Sequence, residues 1–270
     1  MMKRLLLACL MMAPLTARAQ PAPPPPASLR IALFASFPPM AYRISETNGL
    51  AGIDVDLADY VGRKLQRPIV LQDVSYEQAI PALATGRVDL AFSLLDEPAS
   101  RDRLDYVDYL ASGIQAYALA THAPAASLLD LCGQKLGANR RNGFGKTMRE
   151  WSDANCVPAG KRPILVEETD GTQAARLQLK QGRVDAIVQS SESVPYTMSQ
   201  EPGAYVLVGK PLAALDIAVA FPKGADALRQ QVAAALRDAV ADGTYATVLA
   251  KYGLTGNSAA PAIMATAGRP

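Results

Sequence analysis

The chain is poor in the residues that carry most nucleophilic and metal chemistry. It has one histidine, His122, and three cysteines among 270 residues. A single histidine excludes a Ser-His-Asp or Cys-His set unless His122 serves, and no nucleophile motif accompanies it. The same scarcity argues against a zinc site, which draws on four Cys or His ligands. His122 stands before Pro124 and is expected in a surface loop. Net charge is also small, with 27 basic against 25 acidic residues. Long apolar runs are missing. The stretch over 5–15 is shorter than the roughly 20 residues that span a bilayer, and no later stretch approaches that length.

What is present begins at the amino terminus. Met1-Met2-Lys3-Arg4, the apolar stretch and Ala17-Arg18-Ala19 before Gln20 read as a secretory signal peptide (1–19), cleaved after Ala19. Residues 20–28 follow as a proline-rich spacer. Without Lys3, Arg4 and Arg18 the basic residues number one fewer than the acidic ones. No basic field then remains to attract nucleic acid or anionic lipid. The remaining length suits one or two domains with a large core. Cys9 leaves with the signal. Cys132 and Cys156 stay as an even pair in an oxidising compartment, which points to a disulfide.

Apolar periodicity lays out the rest. Leu29-Arg30-Ile31-Ala32-Leu33 reads as a strand and Phe37-Pro38-Pro39-Met40 as a loop. Gly52-Ile53-Asp54-Val55-Asp56-Leu57 reads as a strand end turning into a helix over 54–65. Leu57, Val61 and Leu65 share one face, and Asp54 and Asp56 put negative charge near the first turn. A strand over 69–73, a helix over 76–84 ended by Gly86, and a strand over 88–92 follow. A second series begins at Leu136-Gly137-Ala138, with a strand at 164–166, a helix over 173–180 and a strand over 184–188. Strands alternating with helices imply parallel βαβ units. Leu83-Ala84-Thr85-Gly86-Arg87-Val88-Asp89 and Leu179-Lys180-Gln181-Gly182-Arg183-Val184-Asp185 share the pattern L-x-x-G-R-V-D, 96 positions apart. Two copies of one helix–Gly–strand device argue for two similar α/β lobes. A strand at 217–221 and helices over 228–240 and 245–252 close the pattern. The small, polar composition after Asn257 predicts a flexible tail over 257–270.

The run from Gly52 to Leu57 resembles the signature of family 3 periplasmic solute-binding proteins, the polar-amino-acid type. Tyr76-Glu77-Gln78-Ala79-Ile80-Pro81-Ala82-Leu83 with Gly86 and Asp89 is similar to that family's aromatic-x-x-x-I-P-x-L-x-x-G-x-x-D block. Ser100-Arg101 resembles its T-x-x-R segment, and Asp242-Gly243-Thr244-Tyr245 with Lys251-Tyr252-Gly253 its closing helix. Leu131-Cys132-Gly133 through Cys156 and Gly160-Lys161 is similar to a subgroup with a cystine in lobe 2. The blocks keep the family's order and spacing over nearly the whole mature chain. The resemblance implies an α/β, two-lobed periplasmic-binding-protein fold of type II, with two hinge segments and a ligand cleft between the lobes. Lobe 1 would be 29–116 plus 208–256, and lobe 2 would be 117–207.

It also implies a pocket. Phe37 and Tyr76 would cover two sides of a ligand, and Ser93 would offer a hydroxyl or backbone contact. Arg101 would hold a carboxylate, which a planar guanidinium fork matches bidentately. Arg103 is its rival, because the segment before Tyr106 is one residue short. Asn142 and Gly143 would form a turn at a helix start, binding carboxylate through backbone N–H groups. Arg140 and Arg141 stand there in place of the family's hydroxyls, as a second anion site or as surface charges. Ser190 occupies the position of the family's ammonium-binding aspartate. Asp96 stands where lobe 1 usually offers Thr or Ser. Either the carboxylate has moved across the cleft to Asp96, or the ligand has no amine and Asp96 pairs with Arg101.

These residues point to a monomeric periplasmic binding protein rather than an enzyme, with no metal or cofactor. It would capture an amino acid or related small carboxylate and deliver it to the membrane subunits of an ABC importer. One alternative is a periplasmic enzyme resembling cyclohexadienyl dehydratase, with Glu192 or Asp96 as a general acid of raised pKa. Another is an accessory protein of a periplasmic dehydrogenase system.

Overall fold

The structure is a computed structural model that describes residues 27–121, 125–140, 143–213 and 216–265. The signal peptide, His122, Arg141 and Asn142 lie outside the described residues. The chain opens with β1 (Leu29–Leu33), β2 (Ser36–Phe37), β3 (Ala41–Arg43), β4 (Leu50–Ala51) and helix α1 (Ile53–Lys64). It continues with β5 (Ile69–Asp73), α2 (Tyr76–Ala84), β6 (Leu90–Leu95), β7 (Leu104–Leu110) and β8 (Gly113–Leu119). Next come β9 (Lys135–Asn139), α3 (Phe144–Asn155), β10 (Leu165–Thr169), α4 (Thr172–Lys180), β11 (Ala186–Ser190) and α5 (Val194–Gln200). The last elements are β12 (Tyr205–Ala213), β13 (Ile217–Pro222), α6 (Asp226–Ala241), α7 (Thr244–Lys251) and α8 (Ala260–Ala265).

Two five-stranded sheets carry the two lobes, ordered β5-β1-β6-β13-β7 and β10-β9-β11-β8-β12. Each has a parallel core, β1 with β5 and β6 in lobe 1 and β9 with β10 and β11 in lobe 2. These are the βαβ units that the periodicity predicts. The antiparallel strands β7, β8 and β12 fall where the sequence suggested no element. The chain passes from the first sheet to the second between Leu110 and Gly113, and returns between Ala213 and Ile217.

The opening block is a junction that only glycine permits. Gly52 has φ +133°, and a Cβ there would lie 2.2 Å from the Met40 carbonyl oxygen. That close approach lets the 39–40 loop cap the helix. Ile53 and Asp54 donate their N–H groups to the carbonyls of Pro39 (3.1 Å) and Met40 (2.9 Å), which satisfies donors that a helix start leaves free. Asp54 and Asp56 do lie in the first turn, and each has a partner of its own. Asp54 is fully buried and accepts from Ser93 Oγ (2.7 Å) and Tyr109 OH (2.5 Å). Asp56 accepts from Lys251 Nζ (2.7 Å) and Tyr252 OH (3.1 Å). Tyr60 OH donates to Asp242 (2.6 Å). The first and last blocks of the sequence therefore interlock inside lobe 1.

The repeated L-x-x-G-R-V-D device folds alike in both lobes. Gly86 and Gly182 both have φ +66°, turning the chain out of α2 and α4. Asp89 then accepts the N–H of Arg30 (2.7 Å), and Asp185 that of Lys135 (2.8 Å). Each carboxylate fixes the start of the neighbouring parallel strand, β1 in lobe 1 and β9 in lobe 2. In lobe 2, Cys132 and Cys156 form a disulfide with Cα atoms 5.7 Å apart.

The expected flexible tail is a correction as far as residue 265. Ser258 bridges Leu110, Ala259 N–H donates to Tyr245 OH (3.0 Å), and α8 lies against α6 and β7. Ile263 is fully buried there, and burying such a side chain contributes roughly 1.5–3 kcal/mol. One well-placed isoleucine outweighs a composition that reads as loose.

Candidate functional site

Open α/β sheets bind ligands outside the carboxyl ends of their parallel strands. The expected pocket residues fall there in both lobes. Phe37 follows β1, Tyr76 follows β5, and Ser93 and Asp96 lie at the end of β6. Gly143 follows β9, and Ser190 ends β11. Phe37 is held by its N–H to the Phe34 carbonyl (3.0 Å) and packs its partly buried ring on the lobe 1 core. Tyr76 is the first residue of α2 and stays exposed, its ring 5.4 Å from that of Phe34. A depression of about 430 Å³, lined by Ser36, Arg43, Asp73, Ser75 and Gln78 among others, opens at the same strand ends.

Ser93 has an unusual backbone, with φ +60°. A non-glycine residue in the left-handed region marks a site that its surroundings hold in place. Its hydroxyl is turned inward to Asp54 and Tyr109, at 2.7 and 3.2 Å. The side chain therefore belongs to the lobe 1 core, and only the backbone of Ser93 stands at the strand end. Beside it, the register between β6 and β13 shifts between Ala218 and Ala220. Such a bulge re-aims the residues that follow.

The residues that follow carry the charge. Asp96 is only 10 % exposed and receives both arms of Arg101, Nε to Oδ1 at 2.7 Å and a terminal nitrogen to Oδ2 at 2.6 Å. The Arg101 side chain is 61 % exposed, and Asp96 holds its pKa above the ordinary guanidinium value. Asp96 does not face Arg101 alone. Its N–H donates to the Asp216 carbonyl (3.0 Å). Asp108 on β7 is pushed up to about 6, first by burial and then by the charges of Asp96 and Asp216, with Arg101 opposing. Asp108 Oδ1 is buried with no hydrogen-bond partner among the described residues. At the carboxyl end of the sheet Asp96 thus holds the guanidinium bidentately, Asp108 feels its charge, and Asp216 adds a third negative charge beside Asp108. Sequence reading missed Asp108 and Asp216. The available signal was an aspartate among the apolar residues of Val107-Asp108-Tyr109.

Arg103 sits elsewhere. It pairs with Asp102 at 3.5 Å and lines a groove of about 750 Å³ with Pro222 and Lys223. Leu104 pairs with Pro222, so this groove lies at the opposite end of the sheet from Asp96. In lobe 2, Ser190 Oγ lies 3.0 Å from Ser193 Oγ. Gly143 caps α3 with φ +71°. Arg140 is engaged by Asp170 at 3.1 Å. Glu192 is buried and accepts from Ser112 Oγ (2.9 Å). Burial raises its pKa against the pull of the donors around it. Among the described residues, no His, Cys, Asp and Glu cluster has the arrangement of a metal site.

This arrangement fits what the chain is similar to. The family model of bacterial extracellular solute-binding proteins, family 3, matches residues 29–255. The L-arginine-binding protein of Pseudomonas aeruginosa is 27 % identical over 235 residues, covering 83 % of this chain and 87 % of that protein. The ABC transporter glutamine-binding protein GlnH of Bacillus subtilis is 24 % identical over 208 residues, covering 75 % and 72 %. Among solved structures, an ancestral arginine-binding protein bound to glutamine has a TM-score of 0.63 at 26 % identity, covering 83 % of this chain and 97 % of that one. The second substrate binding domain of Lactococcus lactis GlnP, in open conformation, has a TM-score of 0.72 at 20 % identity over 86 % and 97 %, a likeness of fold. With its two sheets, two crossings and matched blocks, the chain belongs to the bacterial extracellular solute-binding proteins of family 3.

Proposed function

We propose that this protein is a periplasmic receptor that captures a zwitterionic amino acid and delivers it to the membrane subunits of an ABC importer. The observation that carries the reading is the bidentate Asp96–Arg101 pair beside Asp108 and Asp216. An amino acid brings one carboxylate and one ammonium. Inserted between the two side chains, it gives Arg101 a carboxylate and the largely buried Asp96 an ammonium, so neither charge loses its partner. A ligand without an amine would take Arg101 and leave three carboxylates together. The same surplus of negative charge favours a basic side chain over an acidic one. The names of the relatives, arginine-binding and glutamine-binding, support the class. Ser190 then needs no charge, because Asp96 balances the ammonium. Glu192, which with Asp96 is one of the two acids a dehydratase could use, accepts from Ser112.

A thermal-shift panel on protein beginning at Gln20 tests this. It should contain arginine, glutamine, histidine, cystine, glutamate, their deaminated acids and prephenate. Ligand at about a hundred times its dissociation constant raises stability by roughly 2.7 kcal/mol. Amino acids should shift the melting temperature and deaminated acids should not. Arg101→Lys and Asp96→Asn should each weaken binding about 10- to 100-fold, as expected for charge-assisted hydrogen bonds. A shift confined to amine-free acids would overturn the reading, and turnover of prephenate would replace it with the enzymatic one.

A further inference from the structure

A short segment of lobe 2, residues 191–196, touches lobe 1 at three places. Asn257 Nδ2 donates to Ser191 Oγ at 2.9 Å. Pro195 stands against Gly253, where an added Cβ would come within 3.4 Å of it. The Tyr196 ring meets the Tyr42 ring at 5.8 Å. Asn257 also holds the first crossing between the sheets. Ala111 N–H donates to the Asn257 carbonyl (2.9 Å), and Asn257 Nδ2 donates to the Ala111 carbonyl (2.8 Å). The next residue, Ser112, donates to buried Glu192, and Ser191 N–H donates to the Gly113 carbonyl (2.8 Å).

A primary amide has two N–H donors. Asn257 spends one on the crossing strand and one on lobe 2. It is therefore the side chain through which the end of lobe 1 holds both the crossing and the turn beside Ser190. We propose that Asn257 is a positioning residue that biases the ligand-free chain toward the lobe arrangement seen here. Rotation of lobe 2 about the crossing would part Asn257 from Ser191. The proposal goes beyond the ligand reading and does not depend on it.

Single-molecule energy transfer on the ligand-free protein tests it. Dyes go on Val70→Cys in lobe 1 and Leu177→Cys in lobe 2, positions 45 % and 55 % exposed. Asn257→Ala should lower the population with the lobe arrangement seen here, relative to the others, about two- to tenfold, the worth of one hydrogen bond. Ser191→Ala removes the bond to Asn257, together with one of several donors to Glu192, and leaves Asn257 on Ala111. It should give the same shift, so it decides the matter even if Asn257→Ala folds poorly. An unchanged transfer distribution in folded Ser191→Ala overturns the proposal. A lower melting temperature for Asn257→Ala with the wild-type distribution also overturns it, leaving Asn257 a structural residue alone.

Discussion

Asp89 in lobe 1 and Asp185 in lobe 2 end the same seven-residue pattern and do the same work, each accepting an N–H at the start of the neighbouring parallel strand. A little further along, at the carboxyl ends of β6 and β11, the lobes part. Lobe 1 buries a carboxylate, with Tyr109 and Ser93 donating to Asp54. Lobe 2 places a neutral amide there. Tyr117 OH donates to Gln189 Oε1 (2.9 Å), and Gln189 Nε2 reaches Thr197 Oγ1 (3.3 Å). The shared device builds the scaffold, and the layer beyond it differs, with Ser93 meeting Asp54 of α1 in lobe 1 and Gln189 meeting Thr197 of α5 in lobe 2. A buried acid is tolerated in lobe 1 because two hydroxyls serve it, and one of them belongs to Ser93, whose backbone is strained three residues before Asp96. Lobe 2 places its buried acid, Glu192, two residues beyond β11, where Ser112 serves it, and carries a covalent cross-link as well.

The comparison is broken most severely at Asp54. Asp54→Ala strands two buried hydroxyls, each worth about 1–3 kcal/mol when left unpaired. A loss of about 4 kcal/mol is expected in urea unfolding, while Gln189→Ala, which strands one phenol, should lose about 1–2 kcal/mol. Equal losses would show that the two layers are equivalent after all. Next is the disulfide. Replacing Cys132 and Cys156 by serine frees a loop of sequence separation 24 and should cost about 2–4 kcal/mol. Amide exchange should quicken in β9, α3 and β10 and stay unchanged in α1 and β6. Quickening in both lobes would mean they do not unfold separately. The repeated aspartates come third. Asp185→Ala should lose about 1 kcal/mol. Asp89→Ala should lose about 1–2 kcal/mol, because Asp89 also takes the Arg30 guanidinium at 2.6 and 3.2 Å. Identical losses would reduce that partly exposed fork to decoration.

Much of the scaffold was legible because it rests on local periodicity. Leu57 and Val61 place α1, and Gly86 and Gly182 place the turns before the strands. The antiparallel strands were not legible. Gly113-Ile114-Gln115-Ala116-Tyr117-Ala118 is buried at every position, so no alternation separates strand from helix. Asp54 shows the limit at the site. Its place near a helix start gave it a dipole role, and only the fold reveals Ser93 and Tyr109, 39 and 55 positions away. The same distance hides the cluster of Asp96, Asp108 and Asp216. Arg101 was readable because a family block carries it. Its partner Asp96 was readable as a choice between a ligand ammonium and Arg101 itself.

The effects of pH sharpen the comparison within lobe 1 itself, where two acids oppose each other. Burial raises Asp54 to about 7 in the folded chain, above an ordinary aspartate near 3.9. Between those values the folded chain holds a proton that the unfolded chain has lost, so Asp54 makes stability fall as pH rises from about 4 to about 7. Asp108, raised to about 6, acts in the same direction. Asp242 does the reverse. Tyr60, and then Thr244, donate to it and lower it to about 2. Its contribution is present above about 4 and is lost as pH falls toward 2. Asp54→Asn keeps an acceptor for Tyr109 and removes the titration, so the decline between pH 4 and 7 should flatten. Tyr60→Phe should shift the acid limb alone, by letting Asp242 return toward its ordinary value. Asp242 lies at the surface, where water and salt screen such pairs, so this second change should be the smaller and should fade in high salt. If Tyr60→Phe altered the neutral limb as well, the bond between the first and last blocks of lobe 1 would be holding the fold together rather than merely tuning it.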